Sequence, residues 1–197
     1  MPSVPYVLEK HGNDERVFDI YSRLMKDRII FMLGEVDDES ANLVVCQMLY
    51  LVAEDPKSDI HLYINSPGGS VTAGMSVVDV MRAIPCHVQT YCLGIAASMG
   101  AAILAAGTKG KRNILPNGEV MIHQVLGGIR GQATDIRIRT EHLLRTKNTL
   151  NRLLAEWTGQ PLERVVKDTD RDNYLTAREA KDYGLVDNIL EKMPTHG

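Results

Sequence analysis

A serine among small residues, a turn with paired glycines, a histidine at a strand end and three clustered aspartates could together build a nucleophilic site. Ser98 lies in Gly94-Ile-Ala-Ala-Ser-Met-Gly-Ala101, after a predicted strand and at the first turn of a predicted helix. Small neighbours let a backbone or substrate come close. A helix start also offers unpaired N–H groups, which suit a nucleophile whose tetrahedral intermediate carries an oxyanion. The same serine also reads as the N-cap of a buried, alanine-rich helix. Asn65-Ser-Pro-Gly-Gly-Ser70 is a second backbone-rich turn. It could supply another oxyanion donor, or merely join a strand to a helix. It is no Walker A loop, because no Gly-Lys-Ser/Thr follows.

A serine nucleophile needs a base, and His11, His61, His87, His123, His142 and His196 compete. His123 stands out because it ends the apolar run Val120-Met-Ile and precedes Gln124 and the Gly127-Gly128 loop. Strand ends that open into loops are where α/β sheets place reactive groups. Taken alone, it also reads as a satisfied structural histidine. No metal-ligand spacing such as H-E-x-x-H occurs, so no metal site is expected. To orient an imidazole, Asp168, Asp170 and Asp172 surround Thr169 and Arg171, and each could instead cap a turn or pair with Arg171.

The elements around these residues alternate strand and helix. Residues 1 to about 16 hold two prolines and read as a mobile arm, followed by a short helix near Phe18 to Met25. A buried strand is predicted from Arg28 to Leu33, stopped by Gly34. A helix begins near Asp38 and stops at Pro56. Ile60 to Ile64 is the next strand, a helix runs from about Thr72 to Ile84, and His87 to Leu93 is a third strand. The small-residue helix is expected over Ala96 to Ala106, and a short strand over Val120 to His123. Units of roughly thirty residues argue for βαβ crossovers and a mainly parallel sheet.

Gln132 to about Trp157 reads as one helix of about 40 Å at ~1.5 Å per residue. Ile136, Leu143, Leu150 and Trp157 recur every seven residues along it, while its first half is rich in Arg, Thr and Asp. A helix longer than its domain needs, with one apolar edge, calls for a docking partner, and a second copy of the chain is the preferred one. A helix and a last strand follow between Leu175 and Leu190, with an apparent capping box at Thr176 and Glu179.

With 197 residues, 44% hydrophobic and 24% charged, the chain is expected to form one soluble domain. A net charge of −3 gives no reason to expect nucleic acid or an anionic membrane. The basic run Lys109-Gly-Lys-Arg112 reads as a solvated turn. Cys46, Cys86 and Cys92 form no tight motif and read as buried free thiols of a reducing compartment. No apolar stretch is long enough for a transmembrane helix and no secretory signal opens the chain, so a cytoplasmic location is expected.

The motifs in their order resemble the ClpP peptidases along nearly the whole chain. The quoted residues are Phe18-Asp-Ile-Tyr-Ser-Arg-Leu-Met-Lys-Asp-Arg-Ile-Ile-Phe31, Tyr63-Ile-Asn-Ser-Pro-Gly-Gly69 with Thr72-Ala-Gly-Met75, and Ala96-Ala-Ser-Met-Gly100. Met121-Ile-His-Gln124, Leu126-Gly-Gly with Gly131-Gln-Ala-Thr-Asp-Ile136, and Asp168-Thr-Asp-Arg-Asp172-Asn complete them. The resemblance implies an α/β spiral of ββα units, of the ClpP and crotonase-like kind, with a protruding handle helix. It implies a single peptidase domain over residues 1–197, with an axial arm over about 1–17 and a handle over about 124–158. It selects Asp172 among the three aspartates and implies a Ser98–His123–Asp172 triad. It further implies oxyanion donors at the Gly69 and Met99 N–H groups, and a peptide bordered by Gly68 and Ser70 and held as an added strand.

The implied assembly is two stacked seven-membered rings, with Asp170 and Arg171 near the ring contact. The implied partner is an ATP-driven unfoldase such as ClpX or ClpA, which delivers unfolded polypeptides. No cofactor is expected in this chain. Val125 departs from the family's frequent proline, Ile95 from its frequent glutamine, and Arg130 is uncommon at its position. An α/β-hydrolase would order its triad with the acid before the histidine. A crotonase would use a carboxylate near Ser98, and a ring subunit with a dead site would lack a triad residue.

Overall fold

The computed structural model describes residues 4–11, 14–126, 128 and 130–193. Three strand–helix units run in series through its core. β3 (Ile29–Val36) leads into α2 (Asp38–Glu54), β4 (Ile60–Gly69) into α3 (Val71–Ala83), and β5 (Val88–Ala97) into α4 (Met99–Ala105). Before them lie β1 (Tyr6–His11), β2 (Asp14–Asp19) and α1 (Ile20–Lys26). After them come β6 (Arg112–Ile114), β7 (Glu119–Ile122), α5 (Ala133–Thr158), α6 (Leu162–Asp168), β8 (Asn173–Thr176), α7 (Ala177–Tyr183) and β9 (Asn188–Ile189).

The main sheet has the order β3-β4-β5-β6-β9, with every pairing on that path parallel. The long β5 serves two partners. Thr90 to Cys92 pair with β6, and Ile95 to Ala97 pair in parallel with β7. β7 in turn pairs antiparallel with β8, so a two-stranded ribbon branches off where β5 ends. Ile30, Met32, Leu62, Ile64, Val88 and Cys92 from the strands join Val44, Met48, Val77 and Ile103 from the helices in one core. Helices α2, α3 and α4 cover one face of these strands; on the other, Ile29, Tyr63 and Tyr91 form a smaller cluster and Leu33 stays 45% exposed, so burial on both faces is only partial.

Several expectations are corrected. The segment expected to be a mobile arm contains an antiparallel hairpin, registered from Tyr6↔Asp19 to His11↔Asp14. The expectation for residues 1–3, 12 and 13 lies outside the described residues. Gly34 does not stop β3. At φ +79° it accommodates a register shift, and the strand resumes against Gly68 and Gly69. Asn65 to Gly69 are accordingly part of β4 rather than a sharp turn, because a parallel neighbour supplies pairing across the glycines. Residues 94–97 belong to β5, so α4 starts only after Ser98. α6 was not foreseen. Cys46 is exposed, since burial of Ala41, Val44, Met48 and Leu51 at helical spacing turns it outward, while Cys86 and Cys92 are buried.

The basic run is corrected at one position: Lys109 and Gly110 form an exposed turn, whereas Arg112 is buried in β6. The Arg112 side chain is 3% exposed and grips Asp187 through Nε at 2.9 Å and Nη2 at 2.7 Å. Its Nη1 donates to Trp157 O at 2.9 Å, which ties β6 to the end of α5. Burial pushes the Asp187 carboxyl up, but the Arg112 hydrogen bonds and charge outweigh it and hold the pKa below 3.8. A depressed carboxylate stabilises the fold above its ordinary pKa and loses that contribution as pH falls through the folded value. Arg112→Met is expected to cost about 3–5 kcal/mol, because it strands a buried charge. Thermal unfolding at pH 7 checks this: Arg112→Met should melt well below the parent, and adding Asp187→Leu should recover part of the loss.

α5 is present as a single helix of 26 residues, ended by Gly159 at φ +75°. Its first turns, Ala133 to Arg139, are exposed, whereas Asn151 and Leu154 near its end are buried. No helix among the described residues is long and apolar enough to cross a membrane.

Candidate active site

Ser98 occupies the single residue between β5 and α4, with φ +55° and ψ −119°. A non-glycine residue at positive φ is strained, and such strain persists where the surroundings over-determine it. Here the Ser98 N–H is fixed to Met121 O at 2.8 Å. The helix that follows is buried throughout and small in side chain. Gly100 shows why, since a Cβ there would come within 3.1 Å of Ser66 O. The sharp turn lifts the Ser98 hydroxyl away from its own helix. Ser98 stands at the N-cap position of α4, as the alternative reading had it, but its side chain makes no capping bond.

The hydroxyl instead meets His123 Nε2 at 2.8 Å. His123 follows β7 directly, and its other ring nitrogen, Nδ1, lies 2.9 Å from Asp172 Oδ1. The β7–β8 register explains that meeting. Ile122 pairs with Asn173, so the next residues outward, His123 and Asp172, are cross-strand neighbours at the ribbon's end. With Nδ1–H donated to the carboxylate, Nε2 is the acceptor facing the serine. The His123 side chain is 12% exposed and that of Asp172 59%. Asp168 instead pairs with Arg164, and Asp170 O receives the Gln124 amide at 2.8 Å.

The glycine segment lies against this turn. A Cβ on Gly68, at φ +92°, would sit 2.6 Å from Ser98 Cβ, 2.7 Å from Ala97 O and 3.0 Å from Met99 N. A Cβ on Gly69, at φ +150°, would meet Val36 O at 2.3 Å. Both positions therefore require glycine, for close approach and for backbone angle alike. Ser66 is fully buried and its Oγ accepts from Gly68 N at 3.1 Å, which fixes the orientation of this stretch. Met99 N is the first helical N–H and has no acceptor within its own helix. Ser70 caps α3, its Oγ accepting from Ala73 N at 3.3 Å.

Beside Ser98 and His123 lies a small cavity of about 30 Å³ walled by Val71, Met99, Ala102, Gln124, Leu150 and Leu154. A wider cleft of about 370 Å³ opens on the other side of His123, along Leu126 and Asp170 to Asp172. Other histidines are engaged elsewhere. His61 Nδ1 lies 2.9 Å from Tyr91 Oη, and His87 Nδ1 lies 2.9 Å from Lys111 Nζ. His196 and Gly127 lie outside the described residues. Among the described residues no group of three or more His, Cys, Asp or Glu side chains could hold a metal ion.

Two residues without a role in the sequence pattern, Ser66 and Gln124, make hydrogen bonds beside the serine or the histidine. Their signal was position, two residues before a required glycine and one after the candidate base.

A hydroxyl, an imidazole and a carboxylate in series, beside a helix-start N–H without an acceptor in its own helix, are equipped for nucleophilic acyl transfer. The family model for Clp protease matches residues 12–193. The chain belongs to the Clp protease family and is a peptidase of the Clp type, with the mixed α/β fold that this membership implies.

Proposed function

We propose that the chain is a serine endopeptidase in which Ser98 attacks the peptide carbonyl, His123 takes and returns the proton, and Asp172 orients the imidazole. The observation that carries this reading is the continuous contact from Ser98 Oγ to His123 Nε2, 2.8 Å, and from His123 Nδ1 to Asp172 Oδ1, 2.9 Å. As the Ser98 Oγ–H bond breaks, its proton passes to Nε2 and Oγ bonds to the carbonyl carbon. The Gly69 and Met99 N–H groups then receive the oxyanion. His123 returns the proton to the leaving amine, and water releases the acyl group by the same route. The substrate lies extended beside Gly68 and Ser70.

The working form is a homo-oligomer of two stacked seven-membered rings in the cytoplasm, fed unfolded polypeptides by an ATP-driven unfoldase such as ClpX or ClpA. The chain itself uses no cofactor. Supporting this assembly, the first turns of α5 stand exposed, Ile136 and Ile138 among them, beyond the part of the helix that packs on its own domain through Leu150 and Leu154. A fluorophosphonate probe tests the chemistry: it should attach to Ser98, as mapped by peptide mass. Native mass spectrometry tests the assembly. Labelling elsewhere, or none in an assembled ring, would reject the serine mechanism, and a stable monomer would reject the rings.

A further inference from the structure

The β7–β8 ladder ends one step short of the residues that matter. Its last registered pair is Ile122↔Asn173, and His123 and Asp172 lie just beyond it. β5 braces β7 only as far as Met121, β8 pairs only with β7 among the described residues, and the Asp172 side chain is 59% exposed. The hydrogen bond between His123 and Asp172 therefore needs a brace further out.

Gln124 occupies that place. Its Nε2 donates to Asp170 O at 2.8 Å and lies 3.4 Å from Asp170 Oδ1. Its Oε1 accepts from Lys147 Nζ, on α5, at 2.8 Å. Both ends of one amide are thus committed, to the loop that carries Asp172 and to the long helix. The Lys147 contact also fixes which end of the amide faces Asp170, since an ammonium can only donate. The residue after Gln124 is Val125 and not a φ-restricting proline, so backbone stiffness does not hold this strand exit closed.

We propose that Gln124 is a positioning residue that clasps the His123 and Asp172 strand ends together, with Lys147 orienting its amide. This rests on the reading of Ser98, His123 and Asp172 as the catalytic triad. Gln124 contacts no reacting atom. It keeps Asp172 within reach of Nδ1 and so keeps the Nε2 acceptor aimed at Ser98. Small misplacements of a general base are costly, because proton transfer needs hydrogen-bond geometry.

The test uses the assembled protein and a short fluorogenic peptide. Gln124→Ala is expected to lower kcat about 10- to 30-fold with KM within twofold. Fluorophosphonate labelling should slow in parallel, and oligomer mass and melting temperature should hold. Gln124→Glu keeps the Lys147 contact but cannot donate to Asp170 O, so it should fall as far as alanine. Lys147→Met should lose about three- to fivefold, and Lys147→Arg should retain kcat within twofold. The double variant Gln124→Ala/Lys147→Met should be no slower than Gln124→Ala alone, because both act through one amide. A kcat within twofold of the parent for Gln124→Ala, additive losses in the double variant, or loss of assembly or stability in step with kcat would each overturn the proposal. If Ser98→Ala retained parental turnover, the triad reading itself would fall, an outcome distinct from all of these.

Discussion

Ser98→Ala is expected to lower peptide turnover about 10⁶-fold, Asp172→Asn about 10³-fold, and the two together no more than Ser98→Ala alone. In the proposed mechanism, removing the hydroxyl removes the atom that forms the acyl bond, and no other hydroxyl is shown bonded to His123 Nε2. Residual hydrolysis would come from water positioned by His123 and from the oxyanion donors. Asp172 acts one step back. Its carboxylate accepts from Nδ1 at 2.9 Å, which fixes the tautomer whose Nε2 faces Ser98. Asparagine can offer an N–H to Nδ1 and so favour the wrong tautomer.

The loss for Asp172→Asn is set at about 10³-fold, below the ~10⁴-fold known for a buried triad aspartate. The Asp172 side chain is 59% exposed, so water can take over part of its work. Steady-state hydrolysis of a fluorogenic peptide, with oligomer mass checked for each variant, reads all three values. Full activity in Asp172→Asn would remove that residue from the mechanism. Additive losses would mean that the serine and the aspartate do not act as one unit.

The parts of this architecture that local rules govern were legible in the sequence. The alternation from β3 to α4, the long α5 and the capping box of α7 follow from periodicity and capping, and the structure contains each. What escaped depends on partners far along the chain. Arg112 reads as a solvated turn until Asp187, seventy-five residues on, closes around it. Pro67, Gly68 and Gly69 read as a turn because those residues usually break strands. Here they continue β4, since β3 runs alongside and α4 presses on the glycines. The β1–β2 hairpin was missed although Gly12-Asn13 is a two-residue hairpin signal. Its strands expose Tyr6, Leu8 and Val17 and bury no core of their own, so no burial pattern announced it.

The site divides the same way. Ser98 could be read from its small neighbours, a local property. The contact between His123 and Asp172 is set by the register of two strands about fifty residues apart, which no local pattern encodes. Resemblance supplied that choice, and the register gives its physical reason. Cys46 is a different kind of miss. The apolar spacing of Ala41, Val44, Met48 and Leu51 already implied an outward face at position 46, so its exposure was readable and went unread.

Gly68→Ala is expected to cut turnover at least 10²-fold, whereas Gly34→Ala should leave it within about twofold and cost roughly 1–2 kcal/mol in stability. The two glycines have similar positive φ, +92° and +79°, so backbone strain alone would make them alike. Their surroundings separate them. A Cβ at Gly34 meets nothing within 4 Å, while one at Gly68 would lie 2.6 Å from Ser98 Cβ and 2.7 Å from Ala97 O. Neither of those atoms is the free end of a flexible side chain, so β4 and the Ser98 turn must separate. Relief to ordinary contact takes close to 1 Å, and a shift of that size can cost about 10²-fold. The same shift carries the Gly69 N–H away from Met99 N and so opens the proposed oxyanion site, worth about 10²–10³-fold. The fluorophosphonate labelling rate, the peptide kcat and the melting temperature, measured together, separate strain from displacement. Equal effects at the two glycines would mean that the approach of β4 to Ser98 serves packing rather than chemistry.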